Sequence, residues 1–334
     1  MTALNRREAL VVGGAAAATA ALASLAPAAR AARPAAPVGG QPAGFYRFKI
    51  GSHEALALCD AWNTMSPAHP LFAPEATPEQ FAEVMGEHFL PADRVTLYVN
   101  VLCVRMGGEV VLIDTGNAPG RGPTSGLTAA HLAAAGVPPD EVTAIFISHA
   151  HPDHVGGLVS ADGGLVYPNA RCFINRVEHE FWTGASPDLS RSGVPEGRRA
   201  GMVAAAQASL EAVREKLEPV RGGDTTLPGV ELVETFGHTP GHTSIILSDG
   251  DQRLAAMGDL AHNHVVMFAR PDWTIAFDTD PRAAAQARKT MFRRLADERL
   301  RVFGYHVPWP AVGHIAAHAE GFVWVPQPWD WSGG

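Results

Sequence analysis

The feature that most constrains this chain is the run Ser148-His149-Ala150-His151-Pro152-Asp153-His154-Val155-Gly156-Gly157. It follows Val142-Thr143-Ala144-Ile145-Phe146-Ile147, whose apolar and β-branched content predicts a buried strand. Three imidazoles and a carboxylate thus crowd into six residues at a strand end. On a loop, His149 and His151 alternate onto one side while Asp153 and His154 swing to the other, so the run can feed two cations. Histidines that only lined a surface turn would repel one another on protonation and gain little in return. Imidazole with carboxylate is a donor set for Zn, Mn, Fe or Co rather than for a thiolate structural site.

This H-x-H-x-D-H run resembles the signature of the metallo-β-lactamase fold superfamily of hydrolases. Three later stretches carry the same resemblance in the same order: Gly237-His238-Thr239-Pro240-Gly241-His242, Met257-Gly258-Asp259-Leu260 and Phe303-Gly304-Tyr305-His306. The likeness covers roughly residues 44–328 and is strongest to the secreted methyl parathion hydrolase-like and lactonase group. Matching details include G-F-Y-R before the first strand, V-L-I-D-T-G, Phe181-Trp182 and the G-H-I containing His314.

The resemblance implies an α/β (α+β) fold, a single-domain four-layer αββα sandwich. It further implies that His149, His151 and His238 hold one divalent ion, that Asp153, His154 and His306 hold the other, and that Asp259 bridges. Zinc is the favoured metal, with Mn, Fe or Co open. A shared hydroxide, its pKa lowered to about 7, would attack an ester, lactone or phosphoester centre of a small molecule. Asp259 and Asp153 then take the catalytic roles. Asp114 would orient the ligand loop, and His242 and His314 would support ligands rather than bind metal. The resemblance also allows a homodimer. Two rival readings use the same donors: a mononuclear iron persulfide dioxygenase and a non-catalytic metal-binding protein. Retention of Asp153 and His306 favours the binuclear hydrolase.

Expected pocket residues come from the same comparison. Trp182 keeps one of three aromatic positions of the organophosphate hydrolases, while Arg121 and Arg198 or Arg199 fall near the other two. Guanidinium groups there predict a preference for substrates bearing a carboxylate or other polar group over neutral aryl phosphotriesters. The segment 61–94 is expected to overhang the site. Its Trp62, His69, Leu71 and Phe72 either wall the pocket or pin a surface loop. His262 and His264 lie just past Asp259, at the expected rim. No G-x-S-x-G element is present, which disfavours a covalent serine mechanism. Gly120-x-Gly122-x-x-Ser125 lacks the Lys of a phosphate-binding loop.

Residues 1–31 read as a twin-arginine export signal, with Arg6-Arg7, an Ala/Leu/Val-rich stretch and an Ala29-Arg30-Ala31 cleavage site. Export machinery is then a partner, no stable membrane anchor remains, and the destination is periplasmic or secreted. A flexible leader (32–43), the catalytic domain (44–328) and a short tail (329–334) follow. The formal net charge is −8, and no Lys/Arg run lies beyond the signal, which argues against nucleic acid as a partner. Cys59, Cys103 and Cys172 form no C-x-x-C and are expected as buried thiols, with one disulfide left open.

Local patterns predict a hairpin from Phe45–Ile50 and Ala55–Cys59, and a helix capped by Thr77 and Gln80. They also predict strands over 97–106, 109–114, 170–175, 230–236, 243–247, 253–257 and 301–305. Further helices are expected over 124–135, 177–183, 199–218 and from Asp280-Pro281.

Overall fold

The computed structural model describes residues 44–120 and 123–330. The expected signal, the leader, Arg121 and residues 331–334 lie outside them. The early alternation becomes a hairpin of β1 (Phe45–Ile50) with β2 (His53–Met65). β2 runs past the expected end at Cys59 because its pairing with β3 (Val95–Met106) shifts register between Cys59 and Ala61. Such a bulge breaks the period-two pattern from which a strand is read. Asp60, at the bulge, is buried and accepts hydrogen bonds from Asn117 N and Nδ2 and from Thr128 N and Oγ1. The Thr77–Gln80 capping box forms as expected and starts α1 (Pro78–Glu87).

After β4 (Glu109–Ile113), α2 (Thr128–Ala134) begins four residues later than expected, and the chain enters β5 (Ala144–Ile147). α3 (Pro152–Val155) makes the second half of the histidine run a helical turn. β6 (Arg171–Asn175), α4 (Arg176–Thr183) and α5 (Glu196–Ala212) follow. The helix expected over 199–218 stops at Ala212. Its last predicted residues instead turn at Arg214–Lys216 and enter β7 (Leu217–Val220), parallel to β6. Val213 and Leu217 continue the apolar spacing because both pack against the same helix-side core, not because the helix continues.

The second half is built from β8 (Val230–Glu234), β9 (Thr243–Asp249), β10 (Gln252–Ala256), α6 (Val266–Ala269), α7 (Pro281–Asp297), β11 (Arg301–Phe303), β12 (Val312–His318) and β13 (Gly321–Pro326). The first sheet has the order β1-β2-β3-β4-β5-β6-β7 and the second β13-β12-β11-β10-β9-β8. On β5, Ala144 and Phe146 join the core shared with the second sheet, whereas Ile145 and Ile147 join the core under α2 and α5. Burial on both faces explains why this strand reads as an unbroken apolar run.

All three cysteines are free, and Cys103 and Cys172 are buried. His314 stands on β12 opposite Arg301 and is only half-buried, so it does not support the metal motif as the sequence reading had it. Trp329, at the start of the expected tail, packs on Tyr46. No helix among the described residues is long and apolar enough to cross a membrane.

Candidate metal centre

Strand ends from both sheets deliver the site. β5 runs into the His149–His154 loop, the β8–β9 turn carries His238, and β10 and β11 end just before Asp259 and His306. His151 Nδ1 lies 3.0 Å from His149 Nε2 and 2.9 Å from His238 Nε2. Asp259 Oδ2 is 3.2 Å from His238 Nε2 and 3.6 Å from His149 Nε2. On its other side, Asp259 Oδ1 is 3.1 Å from His154 Nε2, and Oδ2 is 3.3 Å from His306 Nε2. Asp153 Oδ2 lies 3.6 Å from His306 Nε2 and 4.0 Å from His154 Nε2. Asp259 therefore stands between a three-imidazole group and an Asp153/His154/His306 group.

This donor set fits a pair of divalent ions. His154 Nε2 and Asp259 Oδ1 are buried side by side, yet neither makes a hydrogen bond. Buried lone pairs left facing one another are costly unless a cation uses them. Burial first, then neighbouring imidazoles, pushes His149 and His151 well below the usual imidazole range, which keeps them neutral and able to ligate. Burial opposes ionisation of Asp259, but the surrounding imidazoles, His154 foremost, hold its carboxyl well below the usual range.

The far side of three of these rings is fixed as well. His154 Nδ1 donates to Asp114 Oδ2 at 2.9 Å, and Asp114 also accepts from Ser148 N and Oγ. His238 Nδ1 donates to Asp278 Oδ1 at 2.7 Å, and His306 Nδ1 to the Tyr98 carbonyl. His242 supports the site through backbone rather than through a donor atom. Its Nε2 accepts from Asp259 N at 2.9 Å, and burial holds its ring down at about 3, in the neutral state that such acceptance needs.

The cleft above Asp259 has a volume of about 240 Å³. Asn63, Met65, Leu97, Val99, Met202 and Phe277 wall it, over a floor that includes His151, Asp153, His238, His262 and His306. A larger groove of about 920 Å³ past Glu75, Arg191 and Lys289 contains none of the ligand residues, so the chemistry belongs to the smaller cleft.

The expected pocket residues are placed unevenly. His262 reaches the floor, with Nε2 3.0 Å from Asp259 Oδ2 and its ring stacked on His306. Trp182 is fully buried behind His151, with its indole donating to Glu178, and does not face the cleft. Phe72 is a core residue bridged to Ile275, and His69 Nε2 contacts the Ala76 carbonyl, so both pin their loop. Leu71 packs on the same core, and Trp62 lies on β2 opposite Tyr98. Strand residues Asn63 and Met65 take the wall position instead. Arg198 is exposed, and Arg199 donates to the Val194 carbonyl of its own loop. Neither lines the cleft, which removes them from the polar-substrate argument. His264 belongs to a separate hollow with His88 and Phe268.

Sequence reasoning missed Glu178, Asp278 and Arg288. All three are fully buried. Arg288 donates to the carbonyls of Leu260, Pro271 and Trp273, spanning the loop after Asp259. An acid four residues before Trp182 on one helix face was the only local signal for Glu178.

The sequence profile of the Metallo-beta-lactamase superfamily matches residues 94–306. The chain belongs to this superfamily, as the ligand motifs indicated. Among solved structures it is similar to AidC, a dizinc quorum-quenching lactonase in complex with a product, N-hexanoyl-L-homoserine. The TM-score is 0.82 at 33% identity, over 86% of this chain and 98% of that one. It is also similar to the hydrolase AbOPH of the beta lactamase superfamily, at TM-score 0.79 and 29% identity over 87% of this chain and 100% of that one. An N-acyl homoserine lactonase of Bacillus sp is 30% identical over 118 residues, which is 34% of this chain. That match spans about a third (35%) of the relative's length.

Proposed function

We propose that this chain is a dinuclear metallo-hydrolase, loaded with zinc, that opens lactones carrying an apolar substituent. The observation that carries the reading is the cleft, whose His/Asp floor meets a wall of Met65, Leu97, Val99, Met202 and Phe277, with no Lys or Arg among the described residues that line it. Such a wall favours an acyl chain by about 25 cal/mol per Å² of apolar surface it covers. The lactonase relatives support the same substrate class.

His149, His151 and His238 would hold one ion, Asp153, His154 and His306 the other, with Asp259 placed between them. When bound, divalent ions there would supply Lewis-acid polarisation of a carbonyl and a water whose pKa is lowered to about 7. Asp114 and Asp278 fix the tautomers of His154 and His238, so their Nε2 lone pairs face inward. Asp153, with 28% of its side chain exposed, is the more open of the two ligand carboxylates that line the cleft. Its carboxylate would accept a proton from the attacking water and return it to the ring oxygen as the acyl–oxygen bond breaks. One water is consumed, and a hydroxy acid leaves.

The test is a proton-release assay on N-acyl homoserine lactones of graded chain length, an aryl phosphotriester and a β-lactam. The lactones are expected to show the highest kcat/KM, and a triester turned over faster overturns the substrate class. Asp259→Ala is expected to lose most activity. Elemental analysis giving one metal per active chain overturns the dinuclear reading, and iron alone with oxygen uptake turns it toward a dioxygenase. The export reading of residues 1–31 is part of this proposal.

A further inference from the structure

Glu178 lies outside both donor groups, yet it touches the two loops that carry one of them. It sits in the first turn of α4, whose start is set by Asn175 Oδ1 accepting from Val177 N. Its side chain is fully buried. Oε1 accepts from Ala150 N at 2.9 Å and from Trp182 Nε1 at 2.6 Å, and Oε2 accepts from Gly241 N at 2.9 Å. Ala150 stands between His149 and His151 on the loop after β5, and Gly241 belongs to the β8–β9 turn that presents His238. One carboxylate therefore joins loops from opposite sheets.

The approach is close enough to dictate residue type. A Cβ on Gly241 would lie 2.2 Å from Glu178 N, so only glycine lets the turn rest on α4. Trp182, one helical turn on, holds the carboxylate in place and sets its ring edge against His151 at 5.7 Å. Among the described residues no Lys or Arg forms an ion pair with Glu178. His154 and His306, by contrast, take their outer partners from Asp114 and the Tyr98 carbonyl.

We propose that Glu178 is a positioning residue for the cation held by His149, His151 and His238, fixing the distance between the loops that supply those ligands. This rests on the dinuclear reading above and adds an asymmetry to it: loss of Glu178 weakens one cation site and spares the other.

The experiment is a zinc titration of metal-stripped wild type, Glu178→Gln and Glu178→Asp against a chromogenic chelator, with thermal melting to check the fold. Gln keeps the shape but points an amide N–H at a backbone donor, and Asp keeps the charge but falls short of spanning both loops. Wild type is expected to bind two ions. Each variant is expected to hold one ion as wild type does and the other 10- to 100-fold more weakly, the usual cost of removing a group that orients ligands. Loss of both ions together, or of neither, overturns the proposal. So does failure of both variants to fold in the presence of zinc, which makes Glu178 a purely structural residue. Wild type binding a single ion overturns the dinuclear reading instead.

Discussion

Asp278 Oδ1 accepts from His238 Nδ1 at 2.7 Å while its Oδ2 accepts from Ile275 N at 3.1 Å, so the group that orients a ligand ring is itself anchored to backbone. Asp278→Asn keeps the shape but lets the amide compete for the wrong imidazole tautomer. Metal retained after dialysis against a chelator is expected to fall 10- to 100-fold in affinity. Retention equal to wild type removes Asp278 from the metal's support.

Arg288 is the buried cation behind that carboxylate, with Nη2 4.0 Å from Asp278 Oδ2. Arg288→Met strands three carbonyls and leaves Asp278 without its counterion. The expected cost is about 3–5 kcal/mol, as for other buried charges deprived of a partner. Urea unfolding of the zinc-loaded proteins measures it, and a loss below about 1 kcal/mol contradicts the role.

Burial, with His88 adding to it, holds the His264 imidazole down at about 4. In the unfolded chain it titrates near 6.5. Between those values the unfolded state binds more protons, so stability is full above about pH 6.5 and declines as pH falls toward 4. His264→Gln is expected to flatten that decline by at most about 3 kcal/mol. Urea midpoints at several pH values, wild type against variant, supply the comparison; parallel curves refute it.

Met202 and Phe277 face the cleft from opposite sides of the chain's order, one on α5 and one before α7. Truncating either to Ala removes apolar cover from a bound acyl chain. Long-chain lactones are expected to lose about 1–3 kcal/mol in kcat/KM and short-chain ones much less. Equal losses across chain lengths place the acyl group elsewhere.

Replacing Arg6-Arg7 by Lys-Lys is expected to leave the precursor in the cytoplasm, since the twin-arginine receptor reads that pair. Fractionation and blotting decide it. Normal export of the variant points to the general secretory route.

What could be read in advance depended on whether chemistry was local. His149, His151, Asp153 and His154 are neighbours in sequence, and the motifs around His238, Asp259 and His306 are recognisable as short strings. Asp278, Glu178 and Arg288 act on backbone amides, carbonyls and a ring nitrogen brought near only by the packing of the two sheets, so no spacing announces them. The bulge at Asp60 hid half of β2, and with it the cleft wall at Asn63 and Met65. Arg198 and Arg199 misled for the opposite reason. Position along the chain put them near a pocket, but helix α5 turns Arg199 back onto its own loop.

The ligands are divided between the sheets: His149, His151, Asp153 and His154 follow β5, while His238, Asp259 and His306 hang from the second sheet. A cation can therefore be fully enclosed only when both halves of the sandwich are in place. In a chain whose three cysteines are all free, a pair of cations held by these residues would act as the crosslink. It would tie His149 to His306 across roughly 150 residues of sequence, the kind of closure that disulfides otherwise provide. Cations held there would add to the apolar core that already joins the two sheets.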